Sequence, residues 1–353
     1  MRRSSLAALF CFVLVAAACK EEPSQPGTPS AGEPLSINGA GSTFAYPMYS
    51  KWFDEYHKLH PNAQFNYQSI GSGGGIRQVI AGTVDFGGTD GPMTPEQMAD
   101  FKAKHGADIL HLPTALGADV PTYNVKGVAQ QLNFTPEALA GIYLGTVKKW
   151  NDPALASANP GVALPADDIV VVHRSDGSGT TFVWVDYLAK VSPEWKQKVG
   201  VATSVNWPVG LGGKGNEGVT GLVKQTPDSI GYVELIYAIQ NHIPYGKVKN
   251  AAGKFVQADL QGVTAAAAGA AKAMPDDFRV SITNAPGEAT YPISSFTWLL
   301  VPAKIPDPAK RAATVDFLRW ALDGGQGYLE PLSYARLPPE VVAKEKQAVA
   351  RIQ

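Results

Sequence analysis

Short apolar segments alternate with longer amphipathic segments from residue 35 to the end of the chain. Residues 65–69 and 169–172 are short and apolar, which is typical of buried strands. Phe182, Val185 and Leu188 recur at helical spacing, which predicts an amphipathic helix. Because strand and helix patterns alternate, the sequence predicts an α/β fold.

Further helices are predicted after two glycine-rich segments. The first helix has the apolar positions Met48, Trp52, Phe53, Tyr56 and Leu59. The second has the apolar positions Ile76, Val79 and Ile80. The alanine-rich residues 263–273 predict one more helix, exposed to solvent rather than part of a repeat.

Two stretches, around residues 120–124 and 291–296, have the pattern of crossings between lobes. A chain that leaves one lobe, builds a second and returns forms a two-lobed structure with a hinge. We therefore expect lobe I to comprise residues 35–120 and 292–353, and lobe II residues 121–291. Asp119 and Pro121 stand in the first crossing, and both residue types disfavour a central strand there.

Residues 170–181 run from an apolar strand through a small-residue turn into a helix, with the sequence VVVHRSDGSGTT. The first turn of a helix has unpaired N–H groups and partial positive charge, so it attracts anions. Gly177 and Gly179 permit close approach, and Arg174 adds a cation. Residues 37–44 and 67–75 repeat this arrangement, and three such turns in one chain favour a site for an oxyanion such as phosphate.

The N-terminus has the features of a secretory signal. Arg2 and Arg3 precede an apolar run that is shorter than the ~20 residues of a transmembrane helix. Residues 15–19, VAAAC, resemble a bacterial lipobox, so we expect residues 1–18 to be a signal peptide and Cys19 to be lipidated. Ordinary signal cleavage nearby is the alternative. Residues 19–34 have the polar composition of a flexible tether.

Composition limits the chemistry that the chain can support. Of 353 residues, 45% are hydrophobic and the net charge is −1, so a large core is available and nucleic acid is not an expected partner. No cysteine follows Cys19, which excludes a disulfide or thiolate metal site in the folded part. His57 and His60 are expected to be solvated, His173 to face a wall of the cleft, and no metal or cofactor is expected.

A series of motifs carries a resemblance to a known family. The blocks are GAGSTF at 39–44, YQSIGSGG at 67–74, TVDFGGTD at 83–90, IYLG at 142–145 with KKW at 148–150, RSDGSGT at 174–180, WPVGLGGKGN at 207–216 and IGYVE at 230–234. Together they resemble the extracytoplasmic phosphate-binding protein of the high-affinity phosphate ABC transporter, the PstS family. The resemblance covers residues 37–342 and implies the type II periplasmic-binding-protein architecture.

The resemblance also implies a ligand set and a biological setting. Phosphate would be bound by Thr43, Phe44 through its N–H, Ser72, Asp90, Arg174, Ser178, Gly179 and Thr180. The expected protein is a monomeric, periplasmic, membrane-anchored lipoprotein that delivers phosphate to an ABC permease and is not an enzyme. An ionised Asp90 would accept a hydrogen bond from protonated phosphate and repel sulfate, which has no proton to donate.

Alternatives to these assignments follow from the same residues. Asp90 lies in a turn where aspartate often caps the backbone, and Arg174 stands at a strand end, where a surface position is common. A receptor for another tetrahedral oxyanion is the nearest functional alternative. A phosphate-binding surface lipoprotein not coupled to transport, and a phosphate-ester hydrolase, are others. No Gly-x-Ser-x-Gly motif stands at Ser72 or Ser178 to favour the hydrolase.

Overall fold

Strands and helices alternate along residues 34–353, the part of the chain described by the computed structural model. The strands are β1 (Leu35–Gly41), β2 (Ala63–Ser69), β3 (Phe86–Thr89), β4 (Ile109–Asn124), β5 (Asn133–Phe134), β6 (Val170–Arg174), β7 (Leu211–Gly213), β8 (Ser229–Glu234), β9 (Lys247–Lys249), β10 (Phe255–Val256) and β11 (Ser294–Pro302). The α/β pattern predicted from the hydrophobic positions is confirmed. The predicted signal peptide, Cys19 and most of the tether lie outside the described residues.

Helices occupy the connections between these strands. They are α1 (Tyr46–Leu59), α2 (Ser72–Ala81), α3 (Pro95–His105), α4 (Pro136–Leu144), α5 (Pro153–Ala156), α6 (Gly179–Val191), α7 (Pro193–Lys198), α8 (Gly215–Gln225), α9 (Leu235–Gln240), α10 (Leu260–Lys272), α11 (Pro308–Leu322) and α12 (Pro339–Val349). Short 3-10 helices at Gly324–Tyr328 and Glu330–Leu332 lie between α11 and α12.

Eight strands form one sheet in the order β2-β1-β3-β11-β4-β8-β6-β7, and β10-β9-β5 form a small second sheet. β1 is parallel to both β2 and β3, while β11 runs antiparallel to β3 and β4. On the other side of β4, β6 is parallel to β8 and β7. The carboxyl ends of β1, β2 and β6 lead into the three predicted anion-binding segments, and the carboxyl end of β3 leads into Asp90.

The long strand β4 joins the two parts of the large sheet. Its residues 109–118 pair with β11, and residues 119–124 pair with β8. The expectation that Asp119 and Pro121 disfavour a central strand is therefore wrong. Asp119 and Tyr123 donate their N–H groups away from β8, to Ile293 and Pro244, so Pro121 between them removes no bond of the ladder with β8.

The apolar stripes predicted for the helices of the site are mostly confirmed. In α1, Met48, Trp52, Phe53 and Tyr56 are buried. Leu59 is 61% exposed, because it is the last residue of the helix and extends beyond the core. In α2 the predicted positions Ile76, Val79 and Ile80 are all buried, and in α6 Val185 and Leu188 are buried while Phe182 is half-buried.

The alanine-rich helix α10 differs from its prediction. It was expected to be exposed, but Val263, Ala266 and Ala267 are buried on one face. The small side chains let this face approach its neighbours closely, so a helix with little apolar area per residue still packs onto the core.

Residues Pro34–Gln353 form one compact unit with an extensive apolar core that includes residues from α1, β4, α6 and β8. The division into lobe I and lobe II, with boundaries at residues 120–121 and 291–292, stays a prediction.

Candidate functional site

The starts of helices α2 and α6 face each other. The N–H of Gly73, in the first turn of α2, donates to the carbonyl of Gly177, just before α6, at 2.9 Å. A Cβ on Gly73 would lie 2.9 Å from the Gly177 Cα, so glycine is needed for this approach. Two positive helix ends therefore point into one small volume.

A third segment, residues 42–45, enters this volume between β1 and α1. The N–H of Ser42 donates to Gly88 at 2.9 Å, and Tyr237 Oη donates to the carbonyl of Thr43 at 2.6 Å. Tyr334 Oη donates to the carbonyl of Phe44 at 2.5 Å. With both carbonyls occupied by tyrosine hydroxyls, the segment can direct its N–H groups toward an anion.

Several main-chain donors of these segments are buried without a protein acceptor. Among the hydrogen bonds of residues 34–353, none is donated by the N–H groups of Phe44, Ser72, Gly179 or Thr180, and all four residues are buried. Buried N–H groups in native proteins are nearly always paired. Four free donors in one place are therefore an observation that points to an anionic ligand.

The Asp90 carboxylate lies among hydroxyl donors. Ser42 Oγ stands 2.6 and 2.7 Å from its two oxygens, and Thr297 Oγ1 donates to Oδ1 at 2.7 Å. Ser72 Oγ is 3.3 Å from Oδ2. A Cβ on Gly179 would overlap Asp90 Oδ2, so the carboxylate lies directly against the start of α6.

Complete burial changes the pKa of the Asp90 carboxyl group. Loss of water raises its pKa to about 6, although the Ser42 and Thr297 hydroxyls and the Arg174 charge act in the opposite direction. The carboxyl group is therefore an acceptor at pH 7 and becomes a donor in moderately acidic solution.

The Arg174 guanidinium forms a bidentate ion pair with Asp176, two residues further along the same turn. Its Nε and Nη2 donate to the two Asp176 oxygens at 2.8 and 2.6 Å, while Nη1 donates to Thr180 Oγ1 at 3.2 Å. Burial works against the guanidinium charge, but the Asp176 carboxylate more than compensates, so the pKa of Arg174 stays raised. The pKa of Asp176 is lowered because Arg174 outweighs the effect of its burial.

Asn216, at the start of α8, joins the site although it was not predicted as a site residue. Its Nδ2 donates to Thr43 Oγ1 at 2.8 Å and to Thr180 Oγ1 at 3.0 Å. Its Oδ1 accepts from the N–H of Glu234 at 2.9 Å. One buried amide thus connects residues that are 173 and 36 positions away in the sequence.

Two more buried acids lie beside the site. Asp119 on β4 and Glu234 on β8 are direct register partners. Within residues 34–353, neither Asp119 oxygen nor Glu234 Oε1 has a hydrogen-bond partner. Burial, reinforced by the repulsion of Asp90, raises the pKa of both groups well above the usual range.

The structure brings the predicted phosphate residues together at one place in the fold. All eight are buried within the converging segments 42–45, 72–75, 89–90 and 174–180: Thr43, Phe44, Ser72, Asp90, Arg174, Ser178, Gly179 and Thr180. Ser178 also caps α6, because its Oγ accepts from the N–H of Thr181 at 2.9 Å. Its hydroxyl proton stays available for donation.

The structural alternatives for Asp90 and Arg174 do not hold. Thr89 rather than Asp90 closes the turn, since its Oγ1 bonds to both the carbonyl and the N–H of Gly91. Arg174 is 2% exposed and so is not a surface residue. His173 stacks on Trp207 with ring centroids 4.8 Å apart, and its Nδ1 lies 3.0 Å from the carbonyl oxygen of Arg174.

Three residues of the site were not predicted from the sequence. Ser42 and Asn216 lie inside conspicuous blocks, GAGSTF and WPVGLGGKGN, so their location was a usable signal. Thr297 stands in the apolar strand β11, where nothing in the pattern separates it from a core threonine.

Neither a metal cluster nor a membrane span is found in the described part of the chain. Residues 34–353 contain no group of three or more histidine, cysteine or acidic side chains arranged for a metal. Within the same residues, no helix combines the length and the apolar character that crossing a bilayer requires.

Comparison with known proteins gives the class. Residues 24–324 match the PBP superfamily domain. A solved structure of a high affinity periplasmic phosphate-binding protein (PfluDING) bound with phosphate superposes with a TM-score of 0.72 at 20% identity, covering 90% of this chain and 93% of that one. The chain therefore has the periplasmic-binding-protein fold, and the predicted type II architecture is confirmed.

Closer relatives give the family. The chain is 47% identical over 309 residues to the phosphate-binding protein PstS of Xylella fastidiosa, covering 87% of this chain and 83% of that protein. It is 46% identical over 310 residues to PstS of Pasteurella multocida, covering 88% of each. The chain belongs to the PstS family of phosphate-binding proteins.

Proposed function

We propose that this protein binds inorganic phosphate between the starts of α2 and α6 and delivers it to the permease of an ABC transporter. The observation that carries the proposal is the set of buried N–H donors that have no protein acceptor within residues 34–353, together with the Asp90 carboxylate that lies against the start of α6. The proposed ligand residues are Thr43, Phe44, Ser72, Asp90, Arg174, Ser178, Gly179 and Thr180.

Charge alone does not explain affinity for a dianion here. Arg174 is already neutralised by Asp176, and Asp90 adds negative charge. The attraction therefore comes from N–H and O–H dipoles at two helix starts, whose direction is fixed by the backbone of each helix.

Asp90 supplies the selectivity. Phosphate near neutral pH keeps at least one proton, and an ionised carboxylate can accept a hydrogen bond from that P–OH group. Sulfate has no such proton, so the same contact becomes a repulsion at the buried Asp90 carboxylate. A site built around a ligand hydroxyl rejects an analogue lacking it by ~10⁴–10⁵.

Isothermal titration with phosphate, arsenate and sulfate at pH 7.5 tests the proposal. We expect binding of phosphate, weaker or similar binding of arsenate, which also carries a proton, and no measurable binding of sulfate. Tight sulfate binding, or absence of phosphate binding, would refute it.

The Asp90→Asn variant tests the role of the carboxylate. The amide can donate to sulfate, so we expect the phosphate-to-sulfate affinity ratio to fall by a factor of at least ~100, through gain of sulfate binding more than loss of phosphate binding. Asp85→Asn is the matched control, because Asp85 pairs with Lys310 outside the site. An unchanged ratio in Asp90→Asn would contradict the role.

We further propose that the ligand is bound without chemical change by a monomer. The Ser178 hydroxyl, the nearest equivalent of a nucleophile, is engaged as a helix cap. Incubation of the protein with a chromogenic phosphate ester should therefore release no product above the rate in buffer alone. Light scattering, which tests the oligomeric state, should give the mass of a single chain.

Lipidation at Cys19 and a periplasmic location belong to the same proposal. The lipobox-like residues 15–19 support them. We expect the intact mass of the membrane-extracted protein to equal that of a chain that begins at a diacylated Cys19. We expect the Cys19→Ala variant to appear in the soluble fraction instead.

A further inference from the structure

We infer that Asn216 is a positioning residue that sets the direction of two ligand-binding hydroxyls, so that Thr43 and Thr180 can only donate to the bound anion. The inference rests on the proposed function, because it concerns how the same site recognises phosphate.

The orientation of the Asn216 amide is determined by the main chain. Its Oδ1 accepts from the N–H of Glu234 at 2.9 Å, and an N–H can only donate. The opposite side of the amide must therefore be the NH₂ group. Asn216 is completely buried, so no water competes for these positions.

The NH₂ group then supplies one proton to each threonine. Nδ2 lies 2.8 Å from Thr43 Oγ1 and 3.0 Å from Thr180 Oγ1. A nitrogen with two protons and no lone pair available cannot accept from either hydroxyl. Both threonine oxygens are therefore acceptors toward Asn216.

Each hydroxyl has a second donor aimed at it. The main-chain N–H of Asn216 donates to Thr43 Oγ1 at 3.2 Å, and Arg174 Nη1 donates to Thr180 Oγ1 at 3.2 Å. A hydroxyl has two acceptor positions and one proton. With both acceptor positions filled, the remaining proton of each threonine must point to another acceptor, and the anion is the one that the site offers.

This arrangement also orients the ligand proton. A phosphate P–OH group facing Thr43 or Thr180 would meet donors with no free lone pair, whereas at Asp90 it meets an ionised acceptor. Asn216 and Asp90 therefore act in opposite senses: the two threonine positions exclude the ligand proton, and Asp90 receives it.

The test is a set of double-mutant cycles read by phosphate titration. Asn216→Ala should weaken phosphate binding about 10-fold or more, the effect of losing hydrogen bonds at a charged ligand. In a Thr180→Val or Thr43→Val background, which removes one hydroxyl, the effect of Asn216→Ala should shrink at least threefold. In the matched Thr180→Ser and Thr43→Ser backgrounds, which keep the hydroxyl, it should persist.

The outcomes separate this inference from the proposed function. If Asn216→Ala has the same effect in the valine and serine backgrounds, Asn216 acts only through folding and the inference is overturned. If the unmodified protein binds no phosphate, the proposed function fails and the inference falls with it. Thermal melting of each variant without ligand identifies any variant that does not fold, and Asn216→Ser then replaces Asn216→Ala in the cycle.

Discussion

At the scale of single residues, Asp90 is an acidic group placed where its charge is costly. Its pKa of about 6 means that the folded protein resists ionisation more than the unfolded chain does. The hydroxyls of Ser42 and Thr297 reduce this cost without removing it. On the proposed function, the carboxylate is kept because selectivity for phosphate depends on an acceptor at this position.

One prediction concerns stability without ligand. Between pH 4 and pH 7.5, the wild-type protein should lose roughly 2–3 kcal/mol of stability relative to Asp90→Asn, since a raised carboxyl pKa makes ionisation destabilising as pH rises through it. Chemical denaturation at both pH values measures this difference. A difference between the two proteins that does not change with pH would contradict it.

Another prediction concerns Ser42. Ser42→Ala removes a donor to the Asp90 carboxylate, so the pKa of Asp90 should rise by about one unit. Sulfate affinity should increase as Asp90 becomes protonated, and we expect the midpoint of this increase to move to higher pH in the variant. Sulfate keeps a constant charge in this range, so its titration reports on Asp90.

Ser69→Ala provides the matched control for that experiment. The Ser69 hydroxyl is buried and has no hydrogen-bond partner in the described residues. Its removal should leave the midpoint where it is in the wild-type protein. A midpoint that is the same in all three proteins would show that Ser42 does not tune Asp90.

At the scale of elements, the site depends on two helices that begin against each other. Neither α2 nor α6 could form an anion site of this strength alone, because a single helix start offers few free donors and is open to water. Their close approach requires glycine at 73 and 177, where the two main chains are in contact. The glycine-rich composition of these turns is thus a requirement of packing as well as of ligand access.

We expect Gly73→Ala to weaken phosphate binding about 10-fold or more. The added Cβ would meet the Gly177 main chain, which cannot move without shifting α6 and its N–H groups. Phosphate titration measures the loss. Gly269→Ala in α10 is the control, because its Cβ meets nothing within 4 Å; it should bind phosphate normally and be more stable by about 1 kcal/mol. Unchanged affinity in Gly73→Ala would contradict the packing argument.

At the scale of the whole molecule, the site is assembled by contacts between distant parts of the chain. Tyr237 Oη donates to the carbonyl of Thr43 across 194 residues, and Asn216 reaches the same threonine across 173. On the predicted domain boundaries, these bonds connect lobe I with lobe II. We propose that they form when the lobes close and that ligand binding shifts the population toward the closed form.

Tyr237→Phe tests this proposal. It removes one bond of the closed form without removing a proposed ligand group, so phosphate affinity should fall about 3- to 10-fold. Small-angle scattering without ligand should show a larger radius of gyration than in the wild-type protein. Tyr328→Phe is the control, since that hydroxyl lies 3.5 Å from Glu55 and far from Thr43 in the chain. Wild-type affinity in Tyr237→Phe would contradict the closure model.

Local pattern determined a large share of the fold. The helices at α1, α2 and α6 and the strands that precede them follow from apolar periodicity and glycine turns, which act within a few residues. The sequence-based predictions were wrong where contacts between distant segments outweigh the local pattern. Pro121 stands in a central strand because its missing N–H faces away from β8, and α10 buries an alanine face that its composition did not indicate.

The sequence by itself predicted the class of site: three glycine-rich turns that lead into helices and one arginine indicate an oxyanion site, while the resemblance to the PstS family implied Asp90 as its acidic residue. Only the tertiary structure decided how those groups are held. Ser42 and Thr297 converge on Asp90, and Asn216 joins Thr43 to Thr180, from segments far apart in the chain. The reason is physical: a helix start is a local property of the backbone, whereas the pKa of a buried acid and the direction of a hydroxyl proton depend on which distant groups packing brings into contact.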